Sequence, residues 1–284
     1  MSTTPAITPS DAVRRVVDDA EQIVDITSRI DLSGRRIVVL GGGRGMGRHT
    51  SHALAQLGAR VIVVDNDQER ADVVATEIGG HAEGRAVDAT SDEQMAALAE
   101  DLTDIDAVVD IIGVARYSSL VSTSVEDWDW EHEIVLRHAW LAVRHFGPTL
   151  AGRGAGSLTF VASVSGVISS PWHGAYGVFK AGLISLVRTA AVELGPDGVR
   201  VNAVAPGFVV TPRMGDFLDD AGLERSRATA PLPHLTTPSD VAAVLTFLVS
   251  DLASAVTGQT VVVDAGATSN YPYDMSTIAQ GARA

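Results

Sequence analysis

The 284-residue chain contains no cysteine, only one lysine and a clear deficit of positive charge. The absence of cysteine excludes disulfides and thiolate metal sites, and no metal-binding residues are predicted. The formal net charge of −14 argues against binding a nucleic-acid backbone, which requires a basic face. No apolar run approaches the roughly 20 residues of a membrane helix, and the N-terminus lacks an apolar signal core. We therefore expect a cytoplasmic protein that binds neither nucleic acid nor membrane.

Strands and helices alternate along the chain, and 46% of the residues are apolar. Several strands are apolar on both faces, which is typical of a parallel sheet covered by helices on both sides. The pattern predicts an α/β fold in which seven strands form a parallel sheet with helices on both faces. The predicted strands are residues 35–40, 60–65, 84–88, 105–112, 156–163, 199–205 and 260–266. The predicted helices are residues 45–58, 67–80, 91–102, 125–143 and 174–193.

Three segments are predicted along the chain. Residues 1–33 form an N-terminal extension, in which apolar residues at helical spacing after Ser10 predict an extra amphipathic helix. Residues 34–268 form the α/β domain, and residues 269–284 form a C-terminal tail. No repeat or low-complexity linker divides this organisation.

A glycine-rich turn, LGGGRGMG, lies between the first predicted strand and the first predicted helix. Gly41, Gly45 and Gly47 allow a sharp turn and the close approach of a diphosphate to the N-terminus of that helix. Asp65 ends the second strand, where a carboxylate binds ribose hydroxyls and repels a 2′-phosphate. This favours NAD over NADP. Arg44 is the counter-signal, because its guanidinium could hold that phosphate.

The segment AYGVFK places Tyr176 and Lys180, the only lysine, one turn apart on a predicted helix. A phenol has a pKa of about 10 and is a poor acid–base group at neutral pH. A neighbouring ammonium, together with an oxidised nicotinamide, would lower that pKa. Ser163, at the end of the fifth strand, could hold the substrate oxygen. These three residues are the candidate catalytic group.

In this order the motifs resemble the short-chain dehydrogenase/reductase family, in its classical subgroup, over about residues 34–266. The segments that carry the resemblance are LGGGRGMG, VDAT, Ser163 with the Tyr-x-x-x-Lys pair, and VNAVAPGFVVT. The resemblance implies a Rossmann-type, doubly wound fold of seven parallel strands, NAD(P)-dependent hydride transfer and a homo-oligomer, either a tetramer or a dimer. It also implies the positions that contact the cofactor. These are Gly41, Arg44, Gly45, Met46, Gly47, Asp65, Asn66, Asp88, Ala89, Ile112, Gly113, Tyr176, Lys180, Pro206, Gly207, Val209 and Thr211.

The sequence departs from the family pattern at three places. Leu40 replaces the threonine of the glycine loop, and DIIG (110–113) replaces Asn-Asn-Ala-Gly, which puts Ile112 near the cofactor. Val135 stands where the family has a catalytic asparagine on the long helix, whose carbonyl holds a relay water. His132 and His138 could replace that relay because histidine titrates near neutrality. The alternative, which is the commoner role of histidines on a helix, is that both face solvent or pack in the helix.

The expected substrate is an apolar secondary alcohol or its ketone, with cyclic ones included. It would lie between the Ser163–Tyr176 pair and the long segment after the sixth strand, which resembles a lid. The candidate lining residues are Tyr117, Trp172, His173, Phe208, Met214, Phe217 and Leu218. The same side chains are equally compatible with packing or subunit contacts. The alternative function is an NAD-binding protein of this fold whose catalysis has faded and which acts as a regulator or partner subunit.

Overall fold

Seven parallel strands form a single sheet in the order β3-β2-β1-β4-β5-β6-β7. The computed structural model describes residues 16, 17, 19–211 and 219–270. The strands are β1 (Arg36–Leu40), β2 (Arg60–Asp65), β3 (Ala82–Ala86), β4 (Ala107–Asp110), β5 (Gly156–Val161), β6 (Val199–Pro206) and β7 (Thr260–Val263). The strand order reverses between β1 and β4, so a crevice opens there at the carboxyl edge of the sheet. The predicted seven-stranded, doubly wound fold is confirmed.

Helices cover both faces of the sheet because its central strands, β1, β2, β4, β5 and β6, present apolar side chains in both directions. Along one face pack α1 (Gly45–Gln56), α2 (Gln68–Ile78) and α8 (Pro238–Val249), through Leu54, Val74 and Leu245 among others. Along the other face pack α3 (Asp92–Asp101), α5 (His138–Gly152) and α6 (Gly174–Leu194). Two further helices are α4 (Val125–His132) and α7 (Asp220–Ala228).

The predicted long helix at 125–143 is one continuous helical rod, but its hydrogen-bond pattern changes in the middle. Between α4 and α5 lies a π-helical segment, Glu133–Arg137, in which the amide of His138 donates to the carbonyl of Glu133, five residues earlier. Val135 is at the centre of this segment and is fully buried. The helix is therefore distorted at Val135, the position that the resemblance assigns to the family's asparagine.

Several predicted boundaries are corrected. Strands β4, β5 and β7 end two or three residues before their predicted ends, and β3 lies two residues earlier in the chain. Residues 111, 112 and 163 are thereby left outside the strands, at the carboxyl edge. Helix α6 is the one described helix that is long and apolar enough to cross a membrane, but it packs into the core through buried residues such as Leu183 and Val187.

The predicted N-terminal helix lies mostly outside the described residues. Its described part, Val16, Val17, Asp19 and Ala20, is helical and exposed, and a 3-10 turn follows at Ile26–Arg29. The tail after residue 270 also lies outside the described part. The domain boundaries at residues 34 and 268 remain a prediction, although the sheet itself runs from residue 36 to residue 263.

Candidate active site

The three candidate catalytic residues come together at the carboxyl edge of the sheet. Ser163 follows β5 and caps a short 3-10 turn, where its Oγ accepts a hydrogen bond from the Ser165 amide at 3.1 Å. Tyr176 and Lys180 lie on the first two turns of α6, on the same side of the helix. Ser163 and Lys180 are buried. The site is thus built from a strand end and a helix start, two rigid elements.

Lys180 is held in a tight, buried position. Its Nζ donates to the carbonyl oxygen of Val161 at 2.6 Å, and its side chain is 1% exposed. Gly113 lies against the ammonium, and a Cβ at that position would be 2.7 Å from Nζ. Burial lowers the pKa of Lys180 to about 8, while the charges of Asp110 and Glu131 raise it. The ammonium is therefore an acid that titrates close to neutral pH.

The pKa of Tyr176 does not follow the sequence-based expectation. Burial raises the pKa of Tyr176 to about 12, and a hydrogen bond with the Ser163 side chain lowers it only in part. Lys180 is not among the groups that lower it, although Nζ lies 5.7 Å from the centroid of the tyrosine ring. The protein alone thus keeps the phenol protonated, and Ser163 is the neighbour that stabilises its anion.

Asp110 and His138 form a buried pair beneath the lysine. Nδ1 of His138 lies 2.8 Å from Oδ2 of Asp110, and both side chains are 1% exposed. The other oxygen of Asp110 accepts the amide of Ile112 at 3.0 Å. Asp110 thereby fixes the turn that leads to Gly113, and it is also one of the two charges that raise the pKa of Lys180.

The two histidines considered from sequence lie in different environments. His138 is the buried partner of Asp110, and its Nε2 has no hydrogen-bond partner among the described residues. The side chain of His132 is 44% exposed, lies 3.7 Å from Glu133 and packs against the ring of Phe179. The structure therefore brings His138 next to the lysine network and leaves His132 at the surface.

Glu131 is a site residue that the sequence reasoning missed. Its side chain is 1% exposed, Oε1 accepts the amide of Arg116 at 2.5 Å, and Oε2 is buried without a partner among the described residues. Burial raises its pKa, and the Arg116 amide and the Lys180 charge act in the opposite direction. The sequence signal that could have found Glu131 is its spacing, four residues before Val135 and seven before His138, which places it on the same buried helix face.

The glycine loop forms the predicted cradle at the N-terminus of α1. A Cβ at Gly47 would overlap the carbonyl oxygen of Gly41, and Gly41 itself has φ +79°. The N-cap residue Arg44 makes no side-chain cap, so the first amides of the helix stay available to an anion. The side chain of Ile112 packs against Gly41, and a Cβ added to Gly41 would lie 3.0 Å from Cγ1 of Ile112. This arrangement fits a diphosphate.

Asp65 is buried at the end of β2, but it already has two partners. Oδ2 accepts the amide of Gly43 at 3.1 Å, and Oδ1 accepts Nε and a terminal nitrogen of Arg70 at 3.0 and 2.6 Å. A carboxylate offers about four acceptor positions, so one remains for a ribose hydroxyl. Arg70, which also binds the Asn66 side chain at 2.6 Å, was missed from sequence. Its charge weakens the repulsion that Asp65 would exert on a 2′-phosphate.

The remaining predicted cofactor positions lie along the same edge. Asp88 is exposed and binds the amide and hydroxyl of Thr90. Gly207 follows β6 and packs on Asp264, where a Cβ would lie 2.6 Å from the aspartate Cβ. The other positions are Met46, partly buried at the start of α1, and Ala89, Pro206, Val209 and Thr211.

The predicted substrate-lining residues are only partly described. Tyr117 and His173 lie together, with ring centroids 5.7 Å apart, and His173 Nδ1 is 2.7 Å from the Ser165 hydroxyl. Burial lowers the pKa of His173. Trp172 is exposed, with φ +69°, and Phe208 follows β6 and is half-buried. Met214, Phe217 and Leu218 lie outside the described residues.

The comparisons with known proteins identify the class of protein. A family model described as "Enoyl-(Acyl carrier protein) reductase" matches residues 41–268. The chain therefore belongs to the short-chain dehydrogenase/reductase family, and it is an oxidoreductase with a nucleotide-binding Rossmann fold.

Similar proteins differ in what they act on. A 3-oxoacyl-[acyl-carrier-protein] reductase of Thermotoga maritima is 33% identical over 83% of this chain and 98% of its own. A 2,5-dichloro-2,5-cyclohexadiene-1,4-diol dehydrogenase of Sphingobium indicum is 35% identical over 84% and 98%. A solved structure from Beutenbergia cavernae, described as an NAD(P)-dependent gluconate 5-dehydrogenase with NADP bound at low occupancy, is 33% identical, with a TM-score of 0.79 over 85% and 100%.

Proposed function

We propose that the protein interconverts an apolar secondary alcohol and its ketone with NAD, and that cyclic alcohols are among its substrates. The observation that carries this proposal is the convergence of Ser163, Tyr176 and Lys180 beside Gly113, at the edge where the glycine loop also ends. The cyclic diol that names the Sphingobium indicum relative supports the substrate class.

Each of the three residues has a role that its surroundings support. Ser163 orients the substrate oxygen, since its hydroxyl lies beside the tyrosine and is fixed by the Ser165 amide. Tyr176 exchanges the proton of the alcohol. Lys180 provides positive charge and, with donors left beyond its bond to Val161, holds the ribose. Bound NAD supplies the hydride acceptor and a positive charge that favours the phenolate.

NAD is preferred to NADP in this proposal because Asp65 keeps a free acceptor position and Arg70 is already engaged by Asp65 and Asn66. The NADP bound in the Beutenbergia cavernae structure argues for the opposite preference. We further propose a cytoplasmic homo-oligomer, a tetramer or a dimer, and the residue roles predicted from sequence for the remaining cofactor positions.

The test is NADH formation from a panel of secondary alcohols by wild type and Tyr176→Phe. The control is Thr189→Val, because it also removes a hydroxyl from α6 but at an exposed residue whose hydroxyl bonds only the Ser185 carbonyl. We expect turnover by wild type and by Thr189→Val, and a loss of roughly 10³-fold or more in Tyr176→Phe. NAD binding without turnover across the panel would assign the alternative role of a nucleotide-binding regulator or subunit.

A further inference from the structure

Alcohol oxidation releases a proton inside a site where the proposed acid–base groups are buried. Under the proposed function, the hydroxyl proton goes to the Tyr176 phenolate while a hydride goes to the nicotinamide. The tyrosine must then lose that proton before the next turnover. Lys180 is buried, and its one hydrogen-bond acceptor among the described residues is the Val161 carbonyl. The proton therefore needs a route from this buried pair to solvent.

Glu131 is a buried carboxylate with an unused oxygen, and it lies close to this pair. Helix α4, which carries Glu131, packs against α6, which carries Lys180. One short segment contacts both side chains: Gly113 lies against Nζ of the lysine, and the amide of Arg116, three residues later, holds Oε1 of the glutamate. Three residues of chain span at most about 11 Å. Oε2 remains buried and without a partner among the described residues.

A buried carboxylate oxygen without a partner destabilises the fold, because it loses about 1–3 kcal/mol of solvation free energy. A glutamine would keep the bond to the Arg116 amide without carrying a charge. The positive charge of Lys180 offsets part of the cost of burying this carboxylate. Glu131 raises the pKa of Lys180, and Lys180 opposes the rise in the pKa of Glu131 that burial causes.

We propose that Glu131 is a positioning residue for the acid–base pair: its carboxylate is the counter-charge of the Lys180 ammonium and the acceptor of the reaction proton. No direct hydrogen bond or ion pair joins Lys180 to Glu131 among the described residues, so a bridging water would carry one proton from the ammonium to the carboxylate as the lysine receives one from the tyrosine hydroxyl. Tyrosinate and ammonium are thereby restored, and the carboxylic acid releases the proton to solvent. The reverse sequence supplies the proton for ketone reduction.

The charged and titratable groups around this pair are known from the packing. Arg116 and Asp127 act on Glu131 from the preceding loop and from its own helix, and Tyr176 and Lys180 face it from α6. Asp110, paired with His138, acts on Lys180 from the end of β4. When Glu131 is replaced, the charge of Asp110 therefore still raises the pKa of Lys180, and only the part of the shift due to Glu131 is removed.

The first test uses the fact that Lys180 is the only lysine, so a ¹⁵N-lysine sample gives one side-chain signal. In wild type we expect this signal to report two titrations, its own and that of Glu131 at lower pH. Glu131→Gln should remove the second titration and lower the pKa of Lys180. The control is Glu133→Gln, which removes an exposed carboxylate in the same helical segment; this carboxylate pairs with Arg137. Glu133→Gln should leave both titrations unchanged.

The second test is the pH–rate profile of alcohol oxidation. Glu131→Gln should lower kcat about tenfold or more and change the profile, with little effect on the KM for NAD, and Glu131→Asp should recover part of the rate. A single titration of Lys180 in wild type, or a wild-type pH profile in Glu131→Gln, would overturn the proposal. Because the NMR titration needs no substrate, it stays informative if wild type turns over no alcohol, which would contradict the proposed function instead.

Discussion

Replacing Lys180 with methionine should make the protein more stable at neutral pH while abolishing its activity. The side chains have similar length, and the position is closed to solvent. Methionine can fill the volume without bringing a charge into the core. The substitution therefore separates what the lysine does for catalysis from what its burial costs the fold.

The magnitude follows from the lowered pKa of Lys180. The fall from 10.5 to about 8 corresponds to roughly 3 kcal/mol of unfolding free energy lost by keeping the ammonium charged at neutral pH. The variant also loses the hydrogen bond to the Val161 carbonyl, about 1 kcal/mol. The expected net gain at pH 7 is therefore about 2 kcal/mol, or several degrees in Tm for a chain of this size.

The pH dependence gives the sign of the effect. Between pH 8 and 10.5 the unfolded chain still binds the lysine proton and the folded protein has released it, so the stability of wild type rises with pH across this window. Below pH 8 both states are protonated, and the full cost of burial remains. The advantage of Lys180→Met should accordingly be largest below pH 8 and disappear by pH 10.5.

The assay is denaturant unfolding at a fixed protein concentration from pH 7 to pH 10.5. Tyr176→Phe is the control: it is expected to be inactive, yet it keeps the lysine and should show the wild-type slope between pH 8 and 10. A wild-type stability that stays flat across the window, with Lys180→Met no more stable than wild type at pH 7, would refute the reasoning.

Three further results are expected. Ser163→Ala should lower kcat about 100-fold with the fold intact by circular dichroism, since the tyrosine loses its hydroxyl partner. Gly47→Ala should abolish NADH binding measured by fluorescence, because the added carbon would meet backbone of the loop, whereas Gly80→Ala, in open space, should bind normally. Arg70→Ala should raise the ratio of kcat/KM for NAD over NADP, because Asp65 is then uncompensated; an unchanged ratio would show that Arg70 does not affect cofactor choice.

The sheet and its flanking helices were predictable because each depends on local patterns. Apolar β-branched runs such as RVIVVD form the central strands, and the glycines between β1 and α1 allow a positive φ and a close backbone contact that other residues would not. The convergence of Ser163, Tyr176 and Lys180 was likewise expected from their places after β5 and on α6.

The environment of the lysine could not be predicted in the same way. Glu131 is buried because the amide of Arg116, fifteen residues earlier, satisfies one of its oxygens, and no local pattern signals that contact. Arg70 contacts Asp65 through a turn whose geometry is set only when β2 and α2 pack. The raised pKa of Tyr176 depends on burial by surrounding elements, and the Lys180 charge assumed from sequence is not among the groups that lower it.

The π-helical segment at Glu133–Arg137 fixes the chain length of the long rod. In this segment the hydrogen bond that closes the turn spans five residues instead of the four of an α-helix, so the turn contains one extra residue. Deleting a single residue there would let the rod become regular and would rotate everything on one side of it by about 100° relative to the other. Glu131 and His138, which stand on opposite sides of the segment, would then no longer both point inward, so homologous chains should vary in residue type here more readily than in length.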